Sequence, residues 1–371
     1  MSVVLTAEQQ EYQLVLHQFL ERQWPQNAVF DAVDGKGARA EVWQRLVTEL
    51  DVAGLAIPEE YGGLGLSQID VTLAAEELGA VLYCGPWFGT VALGVNALLL
   101  AADRAAAQRY LPAIARGERT ATLAFADVQT RGAAATPVRA KPDGEIWRLS
   151  GVKDHVVDGA TAELLLVVAE TSAGPSLFAV EDTVPDTVTR RPLEALDPTR
   201  PLARVTFTST PAMCVGQPGS FDLQAVLDLA SVSATAEVVG GAAACIRTTV
   251  AHVLTRQQFG RPIGSFQAVK HRLADMQLRL EASRSALRYL AQAIDSEPDS
   301  VPLLAAVAFD TASAAYFRTA ADTIQLHGGI GFTWEHVAHL HFKRAKSLQI
   351  LLGASAQRRR RIADAVLGTI A

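Results

Sequence analysis

Hydrophobic residues recur with helical spacing at both ends of the chain. The most regular run steps by three or four positions, with one step of seven, through Phe266, Val269, Leu273, Met276, Leu280, Leu287, Leu290 and Ile294. This stripe predicts a long helix with one buried face. Ser300 and Pro302 are typical of the start of the next helix, and Gly328-Gly329 of its end. Near the start of the chain, Thr6 is a predicted N-cap.

The middle of the chain has a different pattern, in which short runs of β-favouring residues are separated by prolines and threonines. The runs are Thr120–Phe125, Ile146–Val152, Leu164–Val168, Leu177–Val180 and Val205–Thr208. Pro142-Asp143-Gly144 predicts a turn between two of them. The intervening segments are too short for crossover helices, and no Gly-x-Gly-x-x-Gly follows a strand. The pattern therefore predicts an antiparallel sheet and excludes a nicotinamide-binding Rossmann fold.

These patterns divide the chain into three predicted domains. They are an N-terminal helical domain (1–118), a middle β-barrel-like domain (119–218) and a C-terminal helical bundle (219–371). The predicted class is α+β, mainly α. Apolar stripes on more than one side of the C-terminal helices indicate packing against another subunit.

Composition and charge narrow the function classes. The chain has 371 residues, 49% hydrophobic and 19% charged, which is typical of a globular protein, and its net charge of −6 argues against a nucleic-acid partner. The uncharged stretch 78–102 is broken at Gly85-Pro86, so we expect a buried helix and no membrane span. The N-terminus lacks the basic region of a signal peptide. Three widely spaced cysteines favour a reducing cytoplasm.

A polar, glycine-containing break at 256–267 separates two predicted helices. It places the guanidinium of Arg256, free backbone N–H groups and the amide of Gln267 close together, which suits an anion such as a pyrophosphate. A capped helix–helix turn explains the same residues equally well.

A second segment, 325–336, contains paired glycines that would let a ligand approach the backbone closely, although a simple helix stop accounts for them too. Four histidines lie in or near it: His327, His336, His339 and His341. Their spacing matches no standard metal site, so we interpret them as surface or packing residues and expect no metal.

Four motifs occur in one order along the chain. They are Ile57-Pro58-Glu59-Glu60-Tyr61-Gly62-Gly63, Glu76-Glu77-Leu78-Gly79, Arg256-x-x-Phe259-Gly260 followed by Phe266-Gln267, and Gln325-x-x-Gly328-Gly329-x-Gly331-Phe332. With them the chain resembles an acyl-CoA dehydrogenase over essentially its full length. The resemblance implies an N-terminal helical bundle, a middle antiparallel β-domain and a C-terminal four-helix bundle. It also implies FAD, α,β-desaturation of an acyl-CoA thioester, and an electron-transferring flavoprotein as acceptor.

The reaction needs a base, because the α C–H beside a thioester is a very weak acid. The family carries a glutamate at one of two positions, which the resemblance aligns with Leu352 and with Ala230, 26 residues before Arg256. Neither position holds a carboxylate here. Glu237, two turns beyond Ala230 on nearly the same face, is the alternative base, although about 10 Å of helix separates them. A buried or paired structural carboxylate is the other interpretation of Glu237.

Other family positions beside the flavin ring and the substrate have changed as well. The strand motif Leu-Thr-Glu-Pro is here Leu123-Ala124-Phe125-Ala126, and His155 replaces an aromatic residue over the ring. Val157 replaces a hydroxyl able to bond the flavin, and Ala354 replaces the threonine after the base. Asp228, near the CoA position, remains as a candidate substrate residue.

In the family, the positions that have changed here contact the flavin of their own subunit. The positions that still match the family contact the ADP half of the FAD in a neighbouring subunit. The candidate cofactor residues of this second kind are Arg256, Gln258, Phe259, Gln267, Gln325, Gly328 and Gly329. The chain thus resembles the base-lacking subunit of the heteromeric two-plus-two acyl-CoA dehydrogenases of actinobacterial sterol side-chain β-oxidation. Two alternatives stay open: a self-sufficient homo-oligomeric dehydrogenase with a displaced base, and a non-catalytic scaffold that reuses the fold.

Overall fold

A computed structural model describes residues 5–127, 137–181 and 185–368. The helices are α1 (Ala7–Gln23), α2 (Gln26–Val33), α3 (Arg39–Leu50), α4 (Gln68–Ala80), α5 (Asn96–Leu100), α6 (Arg104–Ala115), α7 (Leu223–Thr255), α8 (Gln267–Ser296), α9 (Val301–His327), α10 (Ala338–Leu351) and α11 (Ser355–Leu367). The strands are β1 (Ala121–Ala124), β2 (Arg139–Asp143), β3 (Ile146–Val157), β4 (Leu164–Thr171), β5 (Gly174–Glu181), β6 (Val188–Leu193), β7 (Leu202–Val215), β8 (Gln257–Gln258) and β9 (Arg261–Pro262).

By packing, the chain divides into two compact units. The first, here called the helical unit, comprises Met1–Gly37, Ser67–Tyr83 and Ser231–Ala371. The second, the sheet unit, comprises Ala38–Leu66 and Cys84–Ala230. The three predicted domains follow the order of the chain, and their boundaries stay predictions.

The predicted helix starts and stops are present. Thr6 caps α1 with a capping box, in which its hydroxyl accepts from the Gln9 N–H at 3.2 Å and its own N–H donates to the Gln9 side chain. Ser300 precedes α9, and Gly328 ends it with a φ of +65°. The long predicted stripe lies on α8, where Met276, Leu280, Leu287 and Leu290 are buried.

Helices α4 and α7 of the helical unit cross at backbone contact. A Cβ built on Gly240 would overlap the Glu76 carbonyl oxygen, and one built on Gly79 would overlap the Glu237 carbonyl oxygen. Only glycine permits such an approach at both points. Glu76 is buried, and its Oε1 lies 2.6 Å from Nη2 of Arg288 on α8. Burial raises the pKa of the Glu76 carboxyl to about 7 despite this ion pair.

The strands of the sheet unit form a closed ring. β4 pairs with β2 and β5, β2 with β3, β3 with β7, and β7 with β5, while β1 and β6 pair with β4 and β7. The ring encloses apolar side chains such as Leu149, Val167, Phe178 and Val205. Closure leaves few open strand edges, which would otherwise invite unwanted pairing.

The predicted antiparallel sheet is present, but two of its pairings are parallel. β4 runs parallel to β1, with Leu123 opposite Leu166, and it meets β2 in parallel at Arg139 and Glu170. The alternation of apolar residues reports which side of a strand is buried, but it carries no information on the direction of the neighbouring strand. The predicted turn at Pro142-Asp143-Gly144 is confirmed, since β2 and β3 form an antiparallel pair across it.

The part of the uncharged stretch that follows Gly85-Pro86 forms a buried helix of the sheet unit, as expected. Its first part, Phe88–Val95, is π-helical and continues into α5. The Thr90 hydroxyl and the backbone of Ala121 exchange two hydrogen bonds of 3.2 Å, and a Cβ on Gly94 would come within 2.8 Å of the Ala121 Cβ. The helix therefore packs closely on β1.

Two described segments are long and apolar enough to span a membrane by length and composition alone. They are Leu223–Thr255, which is α7, and Pro298–Phe332, which contains α9. In the most apolar window of α7, 83% of the residues are buried, and in that of the second segment 44% are buried. Such burial in α7 is typical of a core helix.

The α4–α7 crossing predicts that Gly240→Ala destabilises the protein. The added methyl group has no space beside the Glu76 backbone, so the helices must separate, and we expect a loss of about 1–3 kcal/mol or more. Urea unfolding of the full chain measures this. Gly54→Ala is the matched control, because the atoms nearest its new Cβ lie at an ordinary 3.6–3.8 Å. Equal stability of the two variants would contradict the tight crossing.

Candidate cofactor surface and the altered catalytic positions

The break between α7 and α8 contains a short β-hairpin with a two-residue turn. β8 and β9 pair in antiparallel fashion, with Phe259 and Gly260 as the turn at φ values of +53° and +75°. Positive φ at both turn positions is the geometry of a type I′ turn, which suits glycine but is uncommon for phenylalanine. The Phe259 ring is 91% exposed and touches Phe266 only edge-on, with ring centroids 6.1 Å apart. The hairpin thus presents an aromatic ring to solvent on strained backbone.

Polar donors surround this hairpin. Arg256, Gln267 and Gln325 are exposed, and none of their side chains makes a hydrogen bond or ion pair with any residue that the structure describes. Gln258 is exposed too, and its amide donates to the neighbouring Gln257 carbonyl at 2.9 Å. The surface therefore offers a guanidinium and two amides that the described part of the fold does not use.

The paired glycines end α9 and also leave the backbone there accessible to solvent. The N–H of Gly328 bonds back to the Gln325 carbonyl, which is the predicted stop. A Cβ built on Gly328 or Gly329 would meet nothing within 4 Å. Beyond them Phe332 and Trp334 are 80% and 64% exposed. A flat ligand could reach this backbone without obstruction.

All seven predicted cofactor residues lie at one end of the helical unit. The last turns of α7 and α9 touch, because Thr249 and Thr323 bond through their hydroxyls at 3.2 Å. The first turns of α8 lie beside the last turns of α9, where Arg272 Nε is 3.7 Å from Asp322 Oδ1. We call the surface made by these seven residues the donor surface: Arg256, Gln258, Phe259, Gln267, Gln325, Gly328 and Gly329.

The histidines beside this surface are packed against other side chains. His327, His339 and His341 are buried, and His341 Nδ1 lies 2.7 Å from the Tyr316 hydroxyl. His327 stacks on His252, a residue that the sequence did not single out. In the described part of the chain, no three His, Cys, Asp or Glu side chains are grouped so as to hold a metal ion.

Neither position at which the sequence resemblance predicts the family's base holds a proton acceptor. Ala230 is fully buried near the start of α7, and Leu352 follows α10 with 8% of its surface exposed. The turn after Leu352 is tied down, because the buried guanidinium of Arg358 donates to the carbonyls of Gly353 at 2.6 Å and Gln349 at 3.1 Å. Apolar side chains cannot abstract a proton, so the base is absent from both places.

Glu237 is held in a buried ion pair within the helical unit. Its carboxylate accepts from the guanidinium of Arg344, and the two side chains are only 7% and 2% exposed. Arg344 also donates to the backbone carbonyl of Tyr83 at 3.4 Å. This is the paired structural carboxylate that the sequence left open as one role of Glu237.

Of the positions predicted to lie beside a flavin ring, Leu123 and Ala124 lie on β1 and His155 and Val157 lie on β3 of the sheet unit. Buried Lys153 donates to Asp127 at 2.5 Å and to the Phe125 carbonyl at 3.1 Å, and desolvation lowers the pKa of its amine against the opposing effect of Asp127. His155 takes a φ of +53°, and the Val157 carbonyl accepts from the Thr122 hydroxyl at 2.6 Å. The strand is thus well anchored, but its residue 157 offers no hydroxyl.

Asp228, the candidate substrate residue, is 4% exposed on α7. One of its carboxylate oxygens accepts from the Gln224 amide at 3.0 Å, one turn earlier. Among the predicted site residues, Asp228 and Ala230 belong to the sheet unit, whereas the donor surface, Glu237 and Leu352 belong to the helical unit.

Comparisons with known proteins agree over most of the chain. Models of the acyl-CoA dehydrogenase N-terminal and C-terminal domains match residues 6–118 and 222–367. The acyl-CoA dehydrogenase IpdE2 of Mycobacterium tuberculosis is 34% identical over 331 residues, which is 89% of this chain and 88% of that protein. FadE34 of the same organism is 35% identical over 327 residues, but this chain spans only 42% of its length.

Two similar solved structures are complexes. The ChsE4–ChsE5 complex from Mycobacterium tuberculosis contains a chain 26% identical to this one, with a TM-score of 0.89 and full coverage of both chains. A Tcur3481–Tcur3483 steroid ACAD variant gives 29% identity and a TM-score of 0.86 over 97% of this chain and 98% of that one. The chain therefore belongs to the acyl-CoA dehydrogenase family of oxidoreductases, whose members typically bind FAD.

Proposed function

We propose that this chain is the subunit of a heteromeric acyl-CoA dehydrogenase that lacks the catalytic glutamate and completes the FAD site of a second chain. One observation carries the proposal. The donor surface keeps exposed, unused hydrogen-bond donors around open glycine backbone, whereas both base positions are apolar and buried. A chain that had lost its function altogether would have no reason to keep one half of the site and lose the other.

The donor surface has the groups needed to bind the ADP half of an FAD whose flavin ring lies in another chain. The Arg256 guanidinium offers charge-assisted hydrogen bonds to a pyrophosphate, and the Gln267 and Gln325 amides add neutral donors. Gly328 and Gly329 leave room for close contact with the backbone. Bound FAD supplies an acceptor for the hydride that leaves the β carbon. The part of this chain would be to bind and orient the nucleotide end.

Proton removal must then come from the partner. An α C–H next to a thioester needs a carboxylate within hydrogen-bond reach, and Ala230 and Leu352 provide none. We infer that the partner is a second acyl-CoA dehydrogenase chain that carries the glutamate, the acyl-CoA pocket and the flavin ring. Two of the similar solved structures are complexes of two named chains, which supports this assembly.

The substrate class, electron acceptor and location are part of the same proposal. One similar structure is a steroid ACAD, which favours a steroid side-chain acyl-CoA over a simple fatty acyl-CoA. Family resemblance favours an electron-transferring flavoprotein as acceptor. The odd, widely spaced cysteines favour the cytoplasm.

The two alternatives have less support. A displaced base at Glu237 would have to leave its buried partner Arg344 before it could take a proton. A scaffold with no cofactor would gain nothing from exposed donors that the fold does not use. The paired carboxylate and the unused donors both favour the shared-site proposal.

Reconstitution tests the proposal. The chain purified alone is expected to carry little FAD, and the complex formed with a family member that has the glutamate is expected to hold about one FAD for every two chains. Flavin absorbance against protein content measures this, together with acyl-CoA turnover. One FAD per chain and turnover by the lone protein would overturn the proposal.

Arg256→Ala in that complex should weaken FAD binding. Loss of a charge-assisted hydrogen bond to a phosphate corresponds to about tenfold to hundredfold in affinity. Equilibrium dialysis with FAD fluorescence measures the change. Arg22→Ala is the control, because Arg22 is an arginine of α1 whose side chain, among the described residues, bonds to the Gln18 carbonyl of its own helix and to no other group. An effect of equal size in both variants would contradict a specific role for Arg256.

Glu237→Ala should act on stability. It leaves the Arg344 guanidinium buried without its carboxylate, so we expect a loss of about 3–5 kcal/mol in urea unfolding. Glu49→Ala breaks the exposed Arg45–Glu49 pair on α3 and should change stability little. If Glu237→Ala left stability unchanged but abolished turnover of the reconstituted complex, Glu237 would be a displaced base.

A further inference from the structure

Three imidazole rings form a continuous stack beside the donor surface. His252 of α7 stacks on His327 of α9, with ring centroids 4.4 Å apart and planes 27° apart. His336, just before α10, makes the second ring contact of His327, with ring centroids 4.3 Å apart and planes 44° apart. The stack thus joins three separate segments of the helical unit through a single buried ring.

Neighbouring backbone groups determine where the protons of this stack lie. His327 Nδ1 is 2.8 Å from the Thr323 carbonyl, which can only accept, so this nitrogen carries a hydrogen. The Ala338 N–H donates to His336 Nδ1 at 3.1 Å, so that nitrogen carries none and the ring is neutral. Protonation of His336 would place two donors against each other.

The surrounding charges also favour the neutral state. Arg256, directly after α7, is the cation that acts on His252, and His339 and His341 of α10 are the titratable neighbours of His336 outside the stack. Lys343 acts on His339, and Arg247 and Arg344 act on His341. Burial, and then the adjacent imidazoles, lower the pKa of His336 to about 4, and burial together with His327 lowers that of His252. Among the described groups that act on these two rings, no carboxylate is present to stabilise an imidazolium.

The stack connects the two halves of the donor surface. His252 lies one helical turn before Arg256, and the Arg256 N–H donates to the His252 carbonyl at 2.9 Å. His327 is the residue immediately before Gly328. A fixed contact between the two rings therefore fixes the backbone of Arg256 relative to the glycine turn.

We infer that the His252–His327–His336 stack is a positioning device that holds Arg256 beside the Gly328-Gly329 turn and makes retention of the nucleotide sensitive to acid. The inference rests on the proposed function, since it assigns to these rings the geometry of the donor surface. Because the stacked rings are neutral, acid should weaken the stack. Its stabilising effect on nucleotide retention is complete above the ordinary histidine pKa of about 6.5. The effect is lost as the pH falls toward 4, because separated rings bind protons more readily.

The first test measures FAD release from the reconstituted complex between pH 7.5 and pH 5. His252→Ala should release FAD about three- to tenfold faster at pH 7.5, because aromatic stacking is lost. His252→Phe should restore slow release. His336→Phe, which stacks but cannot be protonated, should flatten the acid dependence. His17→Phe on α1 is the control and should behave as wild type.

The second test needs neither cofactor nor partner. Nitrogen-15 NMR of the full chain should show a hydrogen on Nδ1 of His327 and none on Nδ1 of His336 at pH 7, with no titration of His336 above pH 5. Ordinary titration of His336 near pH 6.5 would overturn the stack. Normal FAD release by His252→Ala would overturn its positioning role alone. A wild-type complex without FAD at pH 7.5 would overturn the proposed function and this inference with it.

Discussion

The direct backbone contact between α4 and α7 is the constraint on which the helical unit depends. Gly79 and Gly240 bring the two helices together at both ends of the contact, where any side chain would collide with a carbonyl group. So close an approach buries Glu76 and Glu237, and each then needs an arginine from another helix. Buried carboxylates without such partners would be strongly unfavourable, so α8 and α10 are fixed by the same crossing.

The long helix α7 carries different chemistry at its two ends. Near its start lies Ala230, a fully buried residue at one of the two positions where the resemblance predicts the family's base. After its end come Arg256 and the hairpin, whose polar groups remain exposed and unused by the fold. The division of the FAD site between two subunits that we propose rests on this difference.

Local features of the fold could be predicted from the sequence because their causes are local. Thr6 and Ser300 begin helices, and the glycine after His327 ends one, through contacts within a few residues. The positions of the strands along the chain could be predicted, but their order in the sheet could not. The parallel contact of β1 with β4 depends on closure of the whole sheet.

The partners of buried polar groups could not be predicted. Arg344 lies 107 residues from Glu237, and nothing near either residue indicates the other. His252 was missed for the same reason, because its partner His327 belongs to another helix. The only local hint was its position four residues before Arg256, on the same side of α7. The role of Glu237 could therefore be stated only as two alternatives until the packing was known.

The most direct measurement is photolabelling of the two-chain complex with FAD that carries an azido group on its adenine ring, followed by mass spectrometry of the labelled peptides. If the nucleotide end is shared as proposed, the label falls on this chain, within 252–267 or 325–334, while the partner carries the catalytic glutamate. Label confined to the partner chain would contradict the shared site.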